Sequence, residues 1–351
     1  MPPLRIGVLG CARIARGFIE GVRPSVLVEV EGVASRDGTR AAAFAHELRV
    51  PRFFGSYAEL LQDPGIDAVY LPLPNGLHAQ WAIAAARAGK HVLCEKPLAA
   101  NEADGRAMFA AAAGAGVFLL EAFPFHFQPQ QRETQRLIAE GAIGAPQTVQ
   151  AAFGFPLSNP ADVRFDPALA GGALYDVGCY PVSLARLVFG ARPLRASAVA
   201  RFTDRGVDRT LAGTLEYPGG GLAQITCSFG TGLHRCAVIA GSSGVIETGY
   251  PNHTDRLERP EIRVRRQPGW DAAFETVPVV RANGFRLEAE ALAQWIGAGD
   301  RAAEAACRAA SLDNLAAIGA LLESALTGQP VAIPPAATGP FDREPSVGAG
   351  G

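Results

Sequence analysis

Leu4-Arg-Ile-Gly-Val-Leu-Gly10-Cys-Ala12-Arg13-Ile14-Ala15 decides the fold. An apolar run, Leu4–Leu9, passes through a glycine into Ile14–Val22, whose apolar residues recur at helical spacing. The join fits G-x-G-x-x-G/A with Ala12 in the second place. Gly10 permits a tight turn, and Ala15 lets the helix pack closely on the strand. Position 12 must let backbone approach a pyrophosphate at the helix N-terminus, which alanine narrows without closing. Small residues at such turns also serve packing alone; a strand before and a helix after favour nucleotide binding.

The same alternation continues outward. Val26–Ala34 precedes Thr39–Leu48, Ala68–Leu71 precedes His78–Ala88, and His91–Cys94 precedes Glu102–Ala115, with Val117–Leu120 closing the series. Strands alternating with helices indicate βαβ units on a buried parallel sheet, wound in both directions by right-handed crossovers. After Phe123 the rhythm changes. Helical patterns at Gln130–Glu140 and Gly172–Val188 flank a strand at Gln147–Phe155. Strand-like runs follow at Ser197–Phe202, Thr210–Glu216, Leu222–Ser228, Cys236–Ala240 and Gly244–Thr248, separated by Gly and Pro turns. Consecutive strands of this kind predict an antiparallel sheet, and helices at Arg286–Ile296 and Glu304–Leu326 end the fold. The expected division is a dinucleotide-binding Rossmann domain at 1–122 and a substrate and oligomerisation domain at 123–333. A disordered tail, rich in Pro, Gly and Ala, is expected at 334–351.

Composition limits the partners. Of the 351 residues 48% are hydrophobic and 19% charged, and the formal net charge is −2. That balance argues against intrinsic disorder, and the absence of a basic excess argues against nucleic acid or an anionic membrane. The N-terminus enters a strand without a signal-like region, and no apolar stretch approaches the roughly 18 residues of a membrane span. A cytoplasmic protein is expected. Six cysteines and six histidines are dispersed with no C-x-x-C pair, so no metal site is read. The cysteines are expected to be buried free thiols.

Of 32 basic side chains, only Lys90 and Lys96 are lysines. Lysine can give up its proton when desolvated, whereas arginine effectively cannot, so the pair is worth following. Lys90, in Ala-Gly-Lys-His ahead of a strand, reads as a solvated turn residue. Lys96 ends a strand in Cys94-Glu95-Lys96-Pro97, and Leu73-Pro74-Asn75-Gly76-Leu77-His78 follows the strand Ala68–Leu71. Both loops fall at the carboxyl edge of the sheet, where ligands of open α/β folds bind. A cis Lys96–Pro97 bond would turn the lysine into the cleft, where its ammonium could polarise an alcohol or carbonyl oxygen.

The second strand ends in Ala34-Ser35-Arg36, where an NAD site would place Asp or Glu. Ser35, Arg36 and Arg40 suit a 2′-phosphate and favour NADP(H) over NAD(H). Asp37 is the complication, since it could bind the ribose or pair with Arg36. In Gly171-Gly-Ala-Leu-Tyr-Asp176-Val-Gly-Cys-Tyr180-Pro181, Asp176 and Tyr180 stand four apart and share a helix face. Pro181 would bend that segment unless a helix starts there. The bland alternative is a capping aspartate beside a buried tyrosine.

Together these segments, with Glu121-Ala-Phe, resemble the Gfo/Idh/MocA family of dinucleotide-dependent oxidoreductases over about residues 4–326. The resemblance implies an N-terminal Rossmann domain followed by an α+β domain with an open, mainly antiparallel sheet that often forms oligomer contacts. A homodimer or homotetramer is therefore expected. It makes Lys96 the catalytic lysine and Asp176 a substrate-side carboxylate, and puts Arg164 near nicotinamide or substrate. Tyr180, where many members carry histidine, points to the branch of dihydrodiol and D-xylose dehydrogenases and sugar 3-ketoreductases, with tyrosine as the acid–base group. Lys96 is expected to draw its pKa from about 10 toward neutrality.

Cofactor contacts are expected from Gly10, Ala12, Arg13, Ile14, Ser35, Arg36, Arg40, Leu73, Pro74, Asn75, His78, Glu95, Lys96, Pro97 and Glu121. Phe125, His126, Arg164 and Asp176 are expected to line the cleft for a carbohydrate or cyclic diol. A dinucleotide-binding regulator without catalysis, or a redox-neutral glycosidase with retained NAD, are the alternative readings.

Overall fold

The computed structural model describes residues 2–269 and 271–336, so nearly all of the tail expected at 334–351 lies outside the described residues. The first unit runs β1 (Leu4–Leu9), α1 (Arg13–Val22), β2 (Val28–Ala34), α2 (Gly38–Leu48), β3 (Arg52–Phe54), α3 (Tyr57–Gln62), β4 (Ala68–Leu71), α4 (His78–Arg87), β5 (His91–Glu95), α5 (Glu102–Gly114) and β6 (Leu119–Ala122). All pairings are parallel, in the order β3-β2-β1-β4-β5-β6. β4, at the centre of the sheet, is apolar and wholly buried because both faces are covered there, whereas β2 toward the edge carries Glu29 and Glu31. Ile6, Val8 and Tyr70 pack with Phe18 of α1, while Leu9, Val69 and Val92 pack on the opposite side. The chain winds outward from β1 to β3 and returns to the other side of β1 with β4. Strand order therefore reverses between β1 and β4, the place where such sheets open a crevice.

The rest continues with α6 (Pro129–Ala139), β7 (Pro146–Gly154), α7 (Cys179–Phe189), β8 (Arg195–Phe202), β9 (Asp208–Glu216), β10 (Leu222–Ser228), β11 (His234–Gly241), β12 (Val245–Thr248), β13 (Glu261–Arg265), β14 (Glu275–Pro278), α8 (Gly284–Ala298), α9 (Arg301–Thr327) and β15 (Val331–Ala332). Nine strands form one sheet, β14-β13-β12-β11-β7-β10-β9-β8-β15, antiparallel except where β7 runs parallel to β10. Its inner face meets α7 and α9 through Leu211, Leu215, Ile225, Val182, Ile318 and Leu321. The fold class is thus a parallel doubly wound sheet followed by a mainly antiparallel one.

The last two helices tie the sheets together. Phe285 of α8 lies edge-on to Phe18, with ring centroids 6.0 Å apart, and Ala289 and Leu292 join the same core. Along α9, Leu312 and Leu315 pack with the first sheet, while Ile318 and Leu321 pack with the second. This helix is long and apolar enough, by length and composition, to cross a membrane. That corrects the expectation that no such stretch exists; here its apolar side chains fill two cores.

Candidate active site

The glycine turn after β1 and the loop after β4 flank the crevice. Gly10 has φ +124°, a conformation side chains avoid, and a Cβ there would also press on Leu73 at 3.0 Å. Ala12 caps α1 with extended backbone and no side-chain hydrogen bond. Ala15 N donates to Ala12 O at 3.1 Å, and among the described residues the N–H groups of Arg13 and Ile14 are left for an anion. Arg13 and Ile14 are exposed on this turn. At the end of β2, Asp37 accepts from the backbone N–H groups of Thr39 (2.9 Å) and Arg40 (3.2 Å), so its carboxylate caps α2. Arg36 is exposed and makes no ion pair among the described residues, and Ser35 Oγ accepts from Asp37 N at 3.2 Å. Arg40 Nη2 donates to Cys11 O at 3.0 Å, joining this loop to the glycine turn. An open helix terminus beside an uncommitted arginine fits a dinucleotide carrying an extra phosphate.

Deeper in the crevice, the Lys96–Pro97 bond is cis. Lys96 Nζ donates to Asp176 O at 2.7 Å and lies 3.2 Å from Asp176 Oδ1. Arg164 Nε binds the other carboxylate oxygen at 2.7 Å. Burial alone would raise the Asp176 pKa, but Lys96 and Arg164 outweigh it and hold the carboxylate below its ordinary value. Burial likewise opposes the Lys96 charge, yet Tyr180, Asp176, Cys179 and Glu95 raise its pKa above that of a free lysine. Lys96 Nζ stands 5.0 Å from the centre of the Tyr180 ring.

Local backbone explains this convergence. Gly172 has φ +122°, and a Cβ there would sit 2.1 Å from Asp208 Oδ1. Asp208 instead accepts from Leu174 N at 2.7 Å and starts a π-helical turn, Leu174–Gly178, that carries Asp176. Such wide turns recur at functional sites. The α-helix resumes at Cys179, so Pro181 directly follows the wide turn, where the carbonyl of Asp176 accepts from Lys96 Nζ. Tyr175 OH donates to Ala100 O at 2.7 Å and Asn75 Nδ2 to Ala170 O at 2.9 Å, so the loops after β4 and β5 are tied to this segment.

Several expected contacts turn inward. His78 is fully buried, its ring nitrogens 3.0 Å from Pro97 O and 2.8 Å from Leu73 O; it braces the two loops together, beneath Leu73, Pro74 and Pro97. Glu95 accepts from Tyr70 OH at 2.5 Å, and Glu121 from Leu98 N at 2.8 Å and Ser311 Oγ at 2.5 Å. Both carboxylates support the lysine loop from below, and burial pushes the Glu121 pKa up to about 7. Phe125 is 0% exposed, because Phe123, Tyr180 and Tyr250 enclose it; it shapes the tyrosine's surroundings and does not line an open cleft. His126 is half-buried, stacks on Phe123 and lies 2.7 Å from Ser183 Oγ.

Three further expectations are corrected. Tyr180 is pushed up to about 12: its burial exceeds the opposing pull of Lys96 and Arg235. Lys90 is buried and donates to Asp63 O and Ile66 O, each at 2.7 Å, where a solvated turn is expected. Cys94, Cys179 and Cys227 are buried, but Cys236 is exposed because it falls on the outward face of β11. Residues the sequence reading does not reach are Arg235 and Asn252. Arg235 sits 4.3 Å from the Tyr180 ring, and Asn252 Nδ2 donates to Tyr180 OH at 3.0 Å. Neither belongs to a motif, so only the fold discloses them.

Known proteins match this arrangement along most of the chain. Residues 4–123 match the oxidoreductase family with an NAD-binding Rossmann fold, and residues 131–247 match the GFO/IDH/MocA C-terminal domain. D-xylose 1-dehydrogenase (NADP(+)) 2 of Haloferax volcanii is 39% identical over 333 residues, covering 93% of this chain and 99% of that protein. Trans-1,2-dihydrobenzene-1,2-diol dehydrogenase of Mus musculus is 37% identical over 247 residues, 70% of this chain and 74% of that protein. Among solved structures, KijD10, a 3-ketoreductase from Actinomadura kijaniata in complex with NADP and TDP-benzene, superimposes with a TM-score of 0.82 at 32% identity. The match covers 92% of this chain and 98% of that one.

Proposed function

Since the chain belongs to the Gfo/Idh/MocA family of oxidoreductases, we propose that it is an NADP(H)-dependent enzyme interconverting a hydroxyl and a carbonyl group on a sugar, a sugar derivative or a cyclic diol. Lys96 and Tyr180 are its acid–base pair. The observation that carries this reading is the ammonium of Lys96, held by Asp176 beside the Tyr180 ring at the mouth of the parallel sheet. Similarity to the xylose and dihydrodiol dehydrogenases and the ketoreductase supports the substrate class. Arg36, exposed and without an ion pair among the described residues beside an Asp37 whose Oδ1 caps α2, supports the 2′-phosphate of NADP(H).

The bound nicotinamide supplies or accepts the hydride. Tyr180, with a pKa near 12 in the protein alone, keeps its proton at neutral pH and can give it to a carbonyl oxygen. Lys96 stays charged and stabilises the phenolate left behind. In the reverse direction the phenolate takes the proton of the alcohol. Asp176 fixes where the ammonium sits, and Arg164 keeps Asp176 charged.

Lys96→Met and Tyr180→Phe should each abolish turnover while NADPH still binds by fluorescence titration. Near-normal kcat in either variant removes that residue from the mechanism. Screening aldoses, dihydrodiols and nucleotide-linked keto-sugars with NADP⁺ and NADPH tests the substrate class, and no turnover on any of them refutes it.

A further inference from the structure

The hydroxyl of Tyr180 makes one hydrogen bond among the described residues, accepting from Asn252 Nδ2 at 3.0 Å. An amide can present either its oxygen or its nitrogen, and the two ends look alike. Here the choice is forced from the far side. Arg235 Nη1 donates to Asn252 Oδ1 at 3.1 Å, and a guanidinium has donors only. The amide oxygen must face Arg235, so the NH₂ must face Tyr180. The phenol oxygen is consequently an acceptor toward Asn252, and its own proton points elsewhere.

Arg235 is suited to hold that orientation. Its guanidinium lies 4.3 Å from the Tyr180 ring, 4.6 Å from Tyr250, 4.9 Å from Phe153 and 5.7 Å from Phe125. It makes no ion pair among the described residues, and its Nε and Nη2 are buried without hydrogen-bond partners. Ring faces take the place of a carboxylate, which leaves the positive charge unneutralised beside the phenol.

The segment bearing Asn252 is clamped as well. Gln128, fully buried, donates to Asn252 O at 2.8 Å and accepts from Thr254 N and Oγ1. A Cβ on Gly284 would lie 2.1 Å from Asn252 O. Tyr250, with φ +33°, holds a conformation that bulky residues avoid, while its OH donates to Ala152 O at 2.8 Å. Backbone kept in such a state by its surroundings recurs at functional sites.

We propose that Asn252, oriented by Arg235, is the positioning residue that keeps the Tyr180 proton directed away from the protein and available to substrate. The proposal rests on Tyr180 being the acid–base group. An N–H donor also favours the phenolate once the proton has left.

A double-mutant cycle separates this role from a merely structural one. Asn252→Leu, similar in volume, should lower kcat roughly ten- to hundredfold with little change in KM or NADPH affinity. In the Tyr180→Phe background, where only residual hydride transfer read in single turnover with excess enzyme remains, it should cost nothing further, because no phenol remains to be positioned. An equal loss in both backgrounds overturns the proposal. If the leucine variant no longer binds NADPH, Asn252→Asp decides, since it preserves the shape. A carboxylate only accepts and would draw the phenol proton to itself. Turnover of that variant relative to the native enzyme should be low at neutral pH and recover as acid protonates the new carboxyl; a profile parallel to the native one overturns the proposal. Normal turnover by Tyr180→Phe alone would instead refute the acid–base reading on which all this stands.

Discussion

Glu121 offers a quantitative test of how the lysine loop is supported. Its carboxylate is buried at the end of β6, accepting from Leu98 N and Ser311 Oγ. Burial raises its pKa from 4.5 to about 7, against the pull of those two bonds and of Lys96. An acid whose pKa is higher folded than unfolded binds its proton more tightly in the native state. Its stabilising contribution is therefore full below about pH 4.5 and is lost as pH rises toward 7. The whole difference is worth roughly 3 kcal/mol. Glutamine resembles the protonated acid: its oxygen can still accept from Leu98 N, and its NH₂ can donate to Ser311. Glu121→Gln should consequently be more stable than the native protein by about 1 kcal/mol near pH 5 and about 3 kcal/mol near pH 8. Urea denaturation of both proteins across that range, without cofactor, measures the difference. A gap that stays constant with pH would refute the reasoning, and a variant less stable at pH 8 would show that the site requires a charged carboxylate.

Other substitutions probe separate links. Arg36→Ala should reduce the preference for NADPH over NADH by roughly ten- to hundredfold in fluorescence titrations; an unchanged ratio removes Arg36 from contact with the 2′-phosphate. Lys90→Met takes a charged donor from the carbonyls of Asp63 and Ile66. It should cost about 2–4 kcal/mol in denaturation while kcat holds, the opposite pattern to Lys96→Met. Gly172→Ala would put a methyl group 2.1 Å from Asp208 Oδ1 at a φ of +122°. It should lower the melting temperature and cost at least about 2 kcal/mol by displacing the cap on Leu174; a native melting curve would count against that cap as the start of the π turn.

Much of the fold is legible because the first sheet is wound from local signals. Apolar strands, helices and turns alternate in order, and strand limits at Leu4–Leu9 and Ala68–Leu71 coincide with the observed ones. What escapes is short or dependent on distant partners. β3 has three residues and β15 two, too few for a period to emerge. β13 does carry alternation, with Ile262 and Val264 buried between exposed neighbours, but charged residues around it mask the signal. The parallel pairing of β7 with β10 joins segments about seventy residues apart, and no local feature encodes it.

Within the site, residue type was a better guide to position than to exposure. Loops bearing the motifs are linked by Gly10–Leu73, Asn75–Ala170, His78–Pro97, Tyr175–Ala100 and Lys96–Asp176 contacts, yet Glu95, Glu121, His78 and Phe125 are buried behind them. A motif records that a residue is required near the chemistry; it does not record which way the side chain turns, because packing from other elements decides that. Ser311 of α9 and Tyr70 of β4 capture the two glutamates, and neither adjoins them in sequence. The same limit governs the tyrosine. Lys96 and Tyr180 alone predict a phenol pKa falling toward neutrality, but the surrounding rings of Phe123, Phe125 and Phe153 desolvate the hydroxyl and reverse the direction. In the mechanism proposed above, Tyr180 is protonated at rest and serves as a donor, and the cations flanking it act chiefly on the phenolate formed as the proton leaves. Stabilisation realised only as charge develops lowers the barrier and leaves the resting state untouched. Burial and paired cations are, on this view, two halves of one device.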